Sequence, residues 1–405
     1  MNQGLLSVDE ALGRLLAGAE PIAGCERVAT REATGRVLAE PQLSTMDVPS
    51  LDNSAMDGYA VRVADVKAVP ARLKVAQRIF AGFVGRKLEA GTAARIFTGA
   101  PIPEDADAIV IQENTATEGD EVIIKTPPAA GEWIRRVGQD IRAGSQILPA
   151  GIRLRPQDTG LAASVGIAAM NLRRRVRLGL FFTGDELAMP GEPLPPGRIY
   201  NSARFTLPGL ARQLGCEVVD YGIVEDTLDA TRAMLRRAAA ECDIIITCGG
   251  VSVGEADFVK PAVEAEGELL MWRIAMKPGR PLAFGRVRAG VRSASFLGLP
   301  GNPVSSFVTF VLFARPFILR TQGIDKVAPN VIAARADFDW LNPNPLREFL
   351  RVKWNEAGGL DLYRTQDSAV LTSTVWSDGL VDNPEGKVIR TGDPVRFLSY
   401  AALFQ

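Results

Sequence analysis

From residue 176 onward the apolar positions alternate between short continuous runs and longer stretches spaced at three and four. "VRLGLFFT" (176–183) reads as a buried strand, "ARFTLPGLARQLG" (203–215) as a helix that stops at Gly215, and "CEVVDYGIV" (216–224) as a strand. "LDATRAMLRRAAAE" (228–241) is a second helix and "DIIIT" (243–247) a central strand. Strands are predicted at "ELLMWRIAM" (268–276), "PLAFGRV" (281–287) and "SASFLGL" (293–299), then a helix opening at Asn302 as N-cap with Pro303 in its first position. This is the pattern of a doubly wound α/β unit, whose ligands sit outside the carboxyl ends of the strands. Three loops leave such ends: "TGDE" from 183, "TCGGVSVGEAD" from 247 and "GLPGNP" from 298.

Elsewhere the period changes. After Arg320 short alternating runs are broken by "NPNP", "AGG", "NPEG" and "TGDP", which predicts a small β-barrel or sandwich. The segment 43–142 is also β-rich, with a hairpin predicted in "DAIVIQENTATEGDEVIIKT", and it is flanked by two helical pieces, "SVDEALGRLLAG" and "PQDTGLAASVG". The first carries a capping box, Ser7 to Glu10, with Val8, Leu12, Leu15 and Leu16 at helical spacing. The division expected is a discontinuous N-terminal domain (1–42 and 143–175), an inserted β-rich domain (43–142), an α/β domain (176–326) and a C-terminal β-barrel (327–405). A chain of 405 residues has room for about two to four domains.

Composition narrows the function. The balance of 46 basic against 47 acidic side chains leaves no global field to gather nucleic acid or an anionic membrane, so an anion site must be local. The longest apolar run, "FVTFVLFA", meets Arg315 and Pro316 short of spanning length, and the N-terminus does not read as a signal sequence; a cytoplasmic protein is expected. The four cysteines, Cys25, Cys216, Cys242 and Cys248, form no CxxC pair and read as reduced core residues. There is no histidine, which excludes Ser-His-Asp and Cys-His catalysis. Carboxylates, hydroxyls, cations, backbone dipoles or a hard metal ion must carry any chemistry.

Candidate chemistry follows from position. Gly249 and Gly250 after the central strand suit either a tight turn or a backbone anion nest, and the acidic Glu255 and Asp257 beyond them suit a phosphate held with a divalent cation or beside Lys and Arg. Arg273, Lys277 and Arg280 surround a Pro-Gly turn and are placed either as a solvated face or to neutralise an oxyanion. Pro300 and Pro303 shape the start of a helix carrying Ser305 in its first turn, whose N-terminus either faces an anion or is simply capped. Asp185, Glu186 and Asp226 end neighbouring strands, where carboxylates begin a polar loop or serve Mg²⁺ or proton transfer. Asp57 in "LDNSAMDGYAVR", Thr98 in "FTGAPIP", and Arg135 and Asp140 in "IRRVGQD" lie far from these, and spacing alone assigns them no partner.

Five stretches, "DNSAMDGYA", "TGAPIP", "TGDEL", "GGVSVGEADF" and "GLPGNPVS", in this order and spacing, resemble the MoeA-type molybdopterin molybdenumtransferases, relatives of the gephyrin E-domain. The resemblance implies an elongated four-domain chain whose α/β domain is molybdopterin-binding-like. The implied activity is insertion of molybdenum from molybdate into adenylylated molybdopterin, with Mg²⁺-dependent release of AMP. It further implies a homodimer with the active site shared between subunits, a pterin adenylyltransferase upstream, and apo-molybdoenzymes or their chaperones downstream. Carried over motif by motif, the catalytic positions are Asp57, Thr98, Glu186, Asp226 and Asp257. The substrate-binding positions are Arg135, Asp140, Gly249, Gly250, Ser252, Arg273, Lys277, Arg280, Pro300, Pro303 and Ser305, with Arg351 and Ser373 expected near molybdate. Lys277 and Arg351 are expected on the oxyanion, and Glu186 and Asp226 on Mg²⁺. Arg273 and Arg280 stand where the family often has lysine, Gln139 replaces a frequent acid, and "SDGLVDNPEG" departs from the family's "ANG". The competing readings are a pterin adenylyltransferase, a tungsten-specific or enzyme-dedicated paralogue, and a non-enzymatic scaffold.

Overall fold

The computed structural model describes residues 5–250 and 258–404. Its centre is a seven-stranded sheet in the order Leu5–Leu6, Gly267–Ile274, Pro281–Ala289, Arg292–Leu299, Ile244–Cys248, Arg177–Thr183, Glu217–Val224. The last four of these strands run parallel, so Thr183, Val224, Cys248 and Leu299 end at one edge. Both faces are covered, which is why the strands read as continuous apolar runs. Leu178, Leu180, Phe182, Ile244, Ile246 and Leu297 point to one core, while Phe181, Ile245 and Phe296 point to the other. Helices Leu228–Glu241 and Val259–Glu266 close the second face; Val8–Ala17, Ala203–Gln213 and the long helix Pro303–Thr321 close the first.

Several local expectations change. The first residues do not join the discontinuous unit: Leu5 and Leu6 pair with Arg273 and Ile274, and Val8, Ala11 and Leu15 enter the main core. Ser7 caps this helix reciprocally with Glu10 (3.2 and 3.0 Å). The apolar helix does not stop at Pro316. A π-helical turn at Phe310–Ala314 absorbs the missing proline N–H, and the helix continues to Thr321. By length and composition it could cross a membrane, but 89% of its apolar window is buried inside the protein. The strand predicted over 268–276 ends at Ile274; Met276–Lys277 leaves the large sheet and pairs with Arg347–Trp354 of the C-terminal sheet.

The remaining sheets are smaller. In the β-rich segment the order is Ala108–Ile111, Gly58–Val61, Thr92–Ile96, Ala71–Ile79, Glu121–Ile124, Thr115–Glu118. The hairpin is therefore Thr115–Glu118 with Glu121–Ile124 around Gly119, and Ala108–Ile111 pairs at the opposite edge. Residues 25–43 and 146–173 meet in two short strand pairings and two isolated bridges over a common core of Leu38, Leu148, Leu154 and Leu172. In the C-terminal sheet, antiparallel strands Arg347–Trp354, Gly379–Asn383, Pro394–Ser399 and Ile332–Arg335 curl until a bridge from Ala336 to Leu360 closes the circle around Val352, Val381 and Phe397.

Candidate active site

The carboxyl edge of the large sheet opens into a cavity of about 860 Å³. Thr183, Glu186, Gly249, Gly250, Pro300, Pro303 and Ser305 line it, so the three strand-end loops share one space. Ala369 and Leu371 of the C-terminal region complete its wall. A second cleft of about 590 Å³ adjoins it, with Lys277, Gly279, Trp340, Asn344, Gln366 and Asp367 in its lining. Arg280 and Ser305 belong to both. The "KPGR" turn is held at this junction because Met276 and Lys277 are in register with Arg347 and Glu348 of the barrel. The turn's cations are therefore held between the two units.

Local backbone explains the glycines. Gly249 has φ +94 and a Cβ there would stand 2.8 Å from the Thr183 carbonyl oxygen; Gly250 has φ +65 and a Cβ would meet Val259 at 2.5 Å. The chain thus passes closer to its neighbours than any side chain permits. The nest reading is only partly available, because the Gly249 N–H donates to Leu299 O (3.1 Å) and prolongs the ladder. The long helix is similar at its start: Val304 N–H donates to Ser368 O (3.1 Å), and Asn302 uses its side-chain amide on Ser368 Oγ (3.2 Å) instead of capping. Ser252 and Asp257, with Glu255, lie outside the described residues.

The acids take different positions. Asp226 accepts a hydrogen bond from Thr183 Oγ1 (2.8 Å), which anchors it beside the cavity, while Glu186 is exposed and lines it. No group of three or more potential metal ligands occurs among the described residues. Cys248 is no nucleophile: burial pushes its thiol to about 12, and Sγ donates to Pro300 O (3.1 Å). Arg273 is exposed on its strand and belongs to neither cavity lining.

Arg351 is the most unusual cation. It is 1% exposed, and its guanidinium donates to Ser373 Oγ (3.3 Å), Phe349 O (3.2 Å) and Asp367 O (3.1 Å), all neutral acceptors. Burial draws its pKa down to about 10. Its backbone is clasped by Gln366, a residue of the smaller cleft, so the charge lies just behind that wall. Among the described residues it makes no salt bridge, although the Asp367 carboxylate in the cleft lining favours its charged form. A buried cation without a hydrogen-bonded counter-ion raises the affinity of its surroundings for an anion.

Asp57 and Thr98 form a separate cluster. The Thr98 N–H (2.8 Å) and then its hydroxyl (2.7 Å) hold the Asp57 carboxyl below the usual carboxylate range. Ile134–Arg135 pairs with Asn53–Ser54 beside them, and Asp140 N–H donates to Val48 O (3.0 Å). Arg135 and Asp140 are exposed, and none of these four lines either cavity. The ion pair here is one that spacing did not suggest: Arg136 Nη1 to Asp52 (2.6 Å), with Val137 N–H on the same carboxylate.

Comparison with known proteins places this geometry. A molybdopterin molybdenumtransferase of Haemophilus influenzae is 41% identical over 321 residues, covering 79% of this chain and 78% of its own. The chain belongs to the MoeA family. A molybdopterin molybdenumtransferase of Synechococcus elongatus is 35% identical over 98% of this chain and all of its own length. The crystal structure of a molybdopterin biosynthesis MoeA protein from Pyrococcus horikoshii superposes with a TM-score of 0.85 at 29% identity, covering 98% of this chain and 100% of that one. Residues 6–166 match the MoeA N-terminal region (domain I and II), 179–320 a probable molybdopterin binding domain, and 333–400 the MoeA C-terminal region (domain IV). In MoeA terms both cavities lie where the second and third of these regions meet. Several polar lining residues escaped sequence reasoning, among them Asn201, Asn344, Gln366, Asp367 and Ser368. Asn201 precedes the helix Ala203–Gln213, a polar position before an apolar-periodic segment, which was the available signal.

Proposed function

We propose that this chain inserts molybdenum from molybdate into adenylylated molybdopterin, releasing AMP. The observation that carries the reading is Arg351: a buried guanidinium beside Ser373 that faces only neutral acceptors, behind a cleft bearing Lys277 and Arg280. That combination suits a tetrahedral oxyanion, and the adjoining 860 Å³ cavity is of the size that takes a large organic ligand. Arg280, common to both spaces, is placed to neutralise the phosphoanhydride between them. Preorganised charge of this kind lowers a barrier without a side-chain nucleophile, which agrees with the absence of histidine and the protonated Cys248.

Glu186 and the Thr183-anchored Asp226 are hard oxygen donors, and Mg²⁺ commonly takes one or two carboxylates together with substrate phosphates. Bound there, it would supply charge neutralisation on the phosphates. The Asp57–Thr98 cluster, which lines neither cavity of its own chain, is assigned to the cavity of a second subunit in a cytoplasmic homodimer. On this reading the protein acts after a pterin adenylyltransferase and before apo-molybdoenzymes or their chaperones. The test mixes the protein with adenylylated molybdopterin, Mg²⁺ and molybdate, and follows AMP release and reconstitution of an apo-molybdoenzyme. AMP that appears only with molybdate supports the reading; none at all, or pyrophosphate release from ATP in its place, overturns it.

A further inference from the structure

Asn201 presents a donor that the protein itself does not use. It is 2% exposed and lines the larger cavity, and its Nδ2 has no hydrogen-bond partner. The amide orientation is fixed from the other side: Oδ1 accepts from Arg204 N–H (3.1 Å) at the start of the helix, and the Asn201 N–H donates to Ala188 O (2.9 Å). Swapping the amide would set Nδ2 against the Arg204 N–H, so the unsatisfied atom is the donor. An amide N–H₂ buried without an acceptor costs about 1–3 kcal/mol, and a bound ligand that supplies the acceptor recovers it.

The cavity's charge distribution says which part of a ligand faces Asn201. Among the described lining residues only Glu186 and Arg280 are carboxylate or guanidinium groups, and Arg280 belongs to the junction with the Lys277 cleft. An anionic group is drawn there. Around Asn201 the wall is Leu187, Ile199, Tyr200, Ser202 and Ala203, without a cation, and the acidic Glu186, whose carbonyl accepts from Ile199 N–H (2.8 Å), bounds this end. The group at that end is neutral and flat enough to lie against Ile199 and Tyr200, and it must offer an acceptor along its edge. Ring nitrogens and oxo groups of a fused heterocycle meet both demands.

We infer that Asn201 is a specificity-determining residue of the larger cavity, donating Nδ2–H to a ring-nitrogen or oxo acceptor of the bound heterocycle. The inference rests on the proposed function for the nature of the ligand, whose adenine and pterin ends share this chemistry. Asn201→Ser keeps an oxygen for the Arg204 N–H and removes Nδ2. Titration calorimetry on the full chain uses three probes: AMP, molybdopterin and molybdate. The expected result is a loss of about tenfold or more in affinity for one heterocyclic probe, with molybdate within about twofold of wild type. Loss on AMP assigns Asn201 to adenine, and loss on molybdopterin assigns it to the pterin. Unchanged affinity for both overturns the inference, as does a parallel fall for all three, which marks a structural role. Should Asn201→Ser lower the melting temperature, Asn201→Asp, which keeps the shape and the cap oxygen, supplies the same comparison. If wild type binds neither heterocyclic probe, the proposed function falls and this inference with it; if wild type binds and the variants bind equally, only this inference falls.

Discussion

Replacing Arg351 with methionine removes a buried cation while keeping a long side chain in its place. Three charge-assisted hydrogen bonds disappear, to Ser373 Oγ, Phe349 O and Asp367 O. Bonds to a charged group are worth about 1.5–3 kcal/mol each, a gross loss of about 5–9 kcal/mol. Against this stands the desolvation of an unpaired guanidinium, several kcal/mol by itself. Ser373 stays satisfied through its own bond to Val370 O (2.7 Å). The two effects are of similar size, so Arg351→Met should shift unfolding stability by no more than about 3 kcal/mol in either direction. Molybdate binding is affected differently, because nothing compensates the lost cation. A charge-assisted contact of about 1.5–3 kcal/mol corresponds to about 10- to 150-fold in Kd. Urea denaturation and molybdate titration of the same preparation separate the two effects. A variant that binds molybdate as wild type does, yet loses well over 3 kcal/mol of stability, would show that Arg351 is a structural residue and that the oxyanion site lies elsewhere. Arg351→Lys should fall between, since lysine keeps the charge but cannot reproduce the planar fork.

Gly249→Ala forces a side chain into φ +94 against the Thr183 carbonyl, and should lower stability by about 1–3 kcal/mol and disturb the Thr183–Asp226 bond, read by denaturant midpoint and AMP titration. Asp57→Asn should abolish turnover with an unchanged melting temperature, because its carboxylate is held by Thr98 at the surface and not in a core. Mixing Asp57→Asn with Arg351→Met subunits should restore activity to about a quarter of wild type if each site draws on both chains of a two-fold dimer; no recovery after verified subunit exchange would place the site within one chain. Burial pushes the Cys216 and Cys248 thiols to about 12. The unfolded chain releases these protons from about pH 8.5, so the native state binds more protons above that value and stability falls as pH rises, by up to about 2–3 kcal/mol per pH unit until about pH 12. Urea midpoints from pH 8 to 11 should show the decline, and Cys216→Ala should flatten it. In native protein Cys25 alone should react with a thiol reagent, since the other three are buried.

The α/β unit was legible because its strands are buried on both faces and its helices on one, so periodicity alone separates them; Leu228–Glu241 matches the periodic segment residue for residue. What pattern could not supply was partnership. Nothing in "ELLMWRIAM" says that the chain changes sheets at Ala275, since Met276 is as apolar beside the barrel as it would be in the strand. Likewise Pro316 reads as a stop until a π-helical turn is seen to accommodate it, which only the surrounding core makes worthwhile.

The candidate site divides along the same line. Residues that end parallel strands converge by topology, and so Thr183, Gly249 and Pro300 could be grouped from the order of elements. Arg351 and Asn201 could not, because their significance lies in what they lack among the described residues: a salt-bridge partner for one and an acceptor for the other. Sequence records the polar group but never its unmet valence. A fold that keeps a buried cation behind the smaller cleft and an unpaired amide donor in the larger cavity is selecting a ligand with an anionic and a neutral end. Single substitutions at the two positions should therefore weaken different parts of the same ligand. Affinity for molybdate should follow Arg351 and affinity for the heterocycle should follow Asn201, with losses that add in the double variant because Arg351 lies behind the wall of the smaller cleft and Asn201 lines the larger cavity.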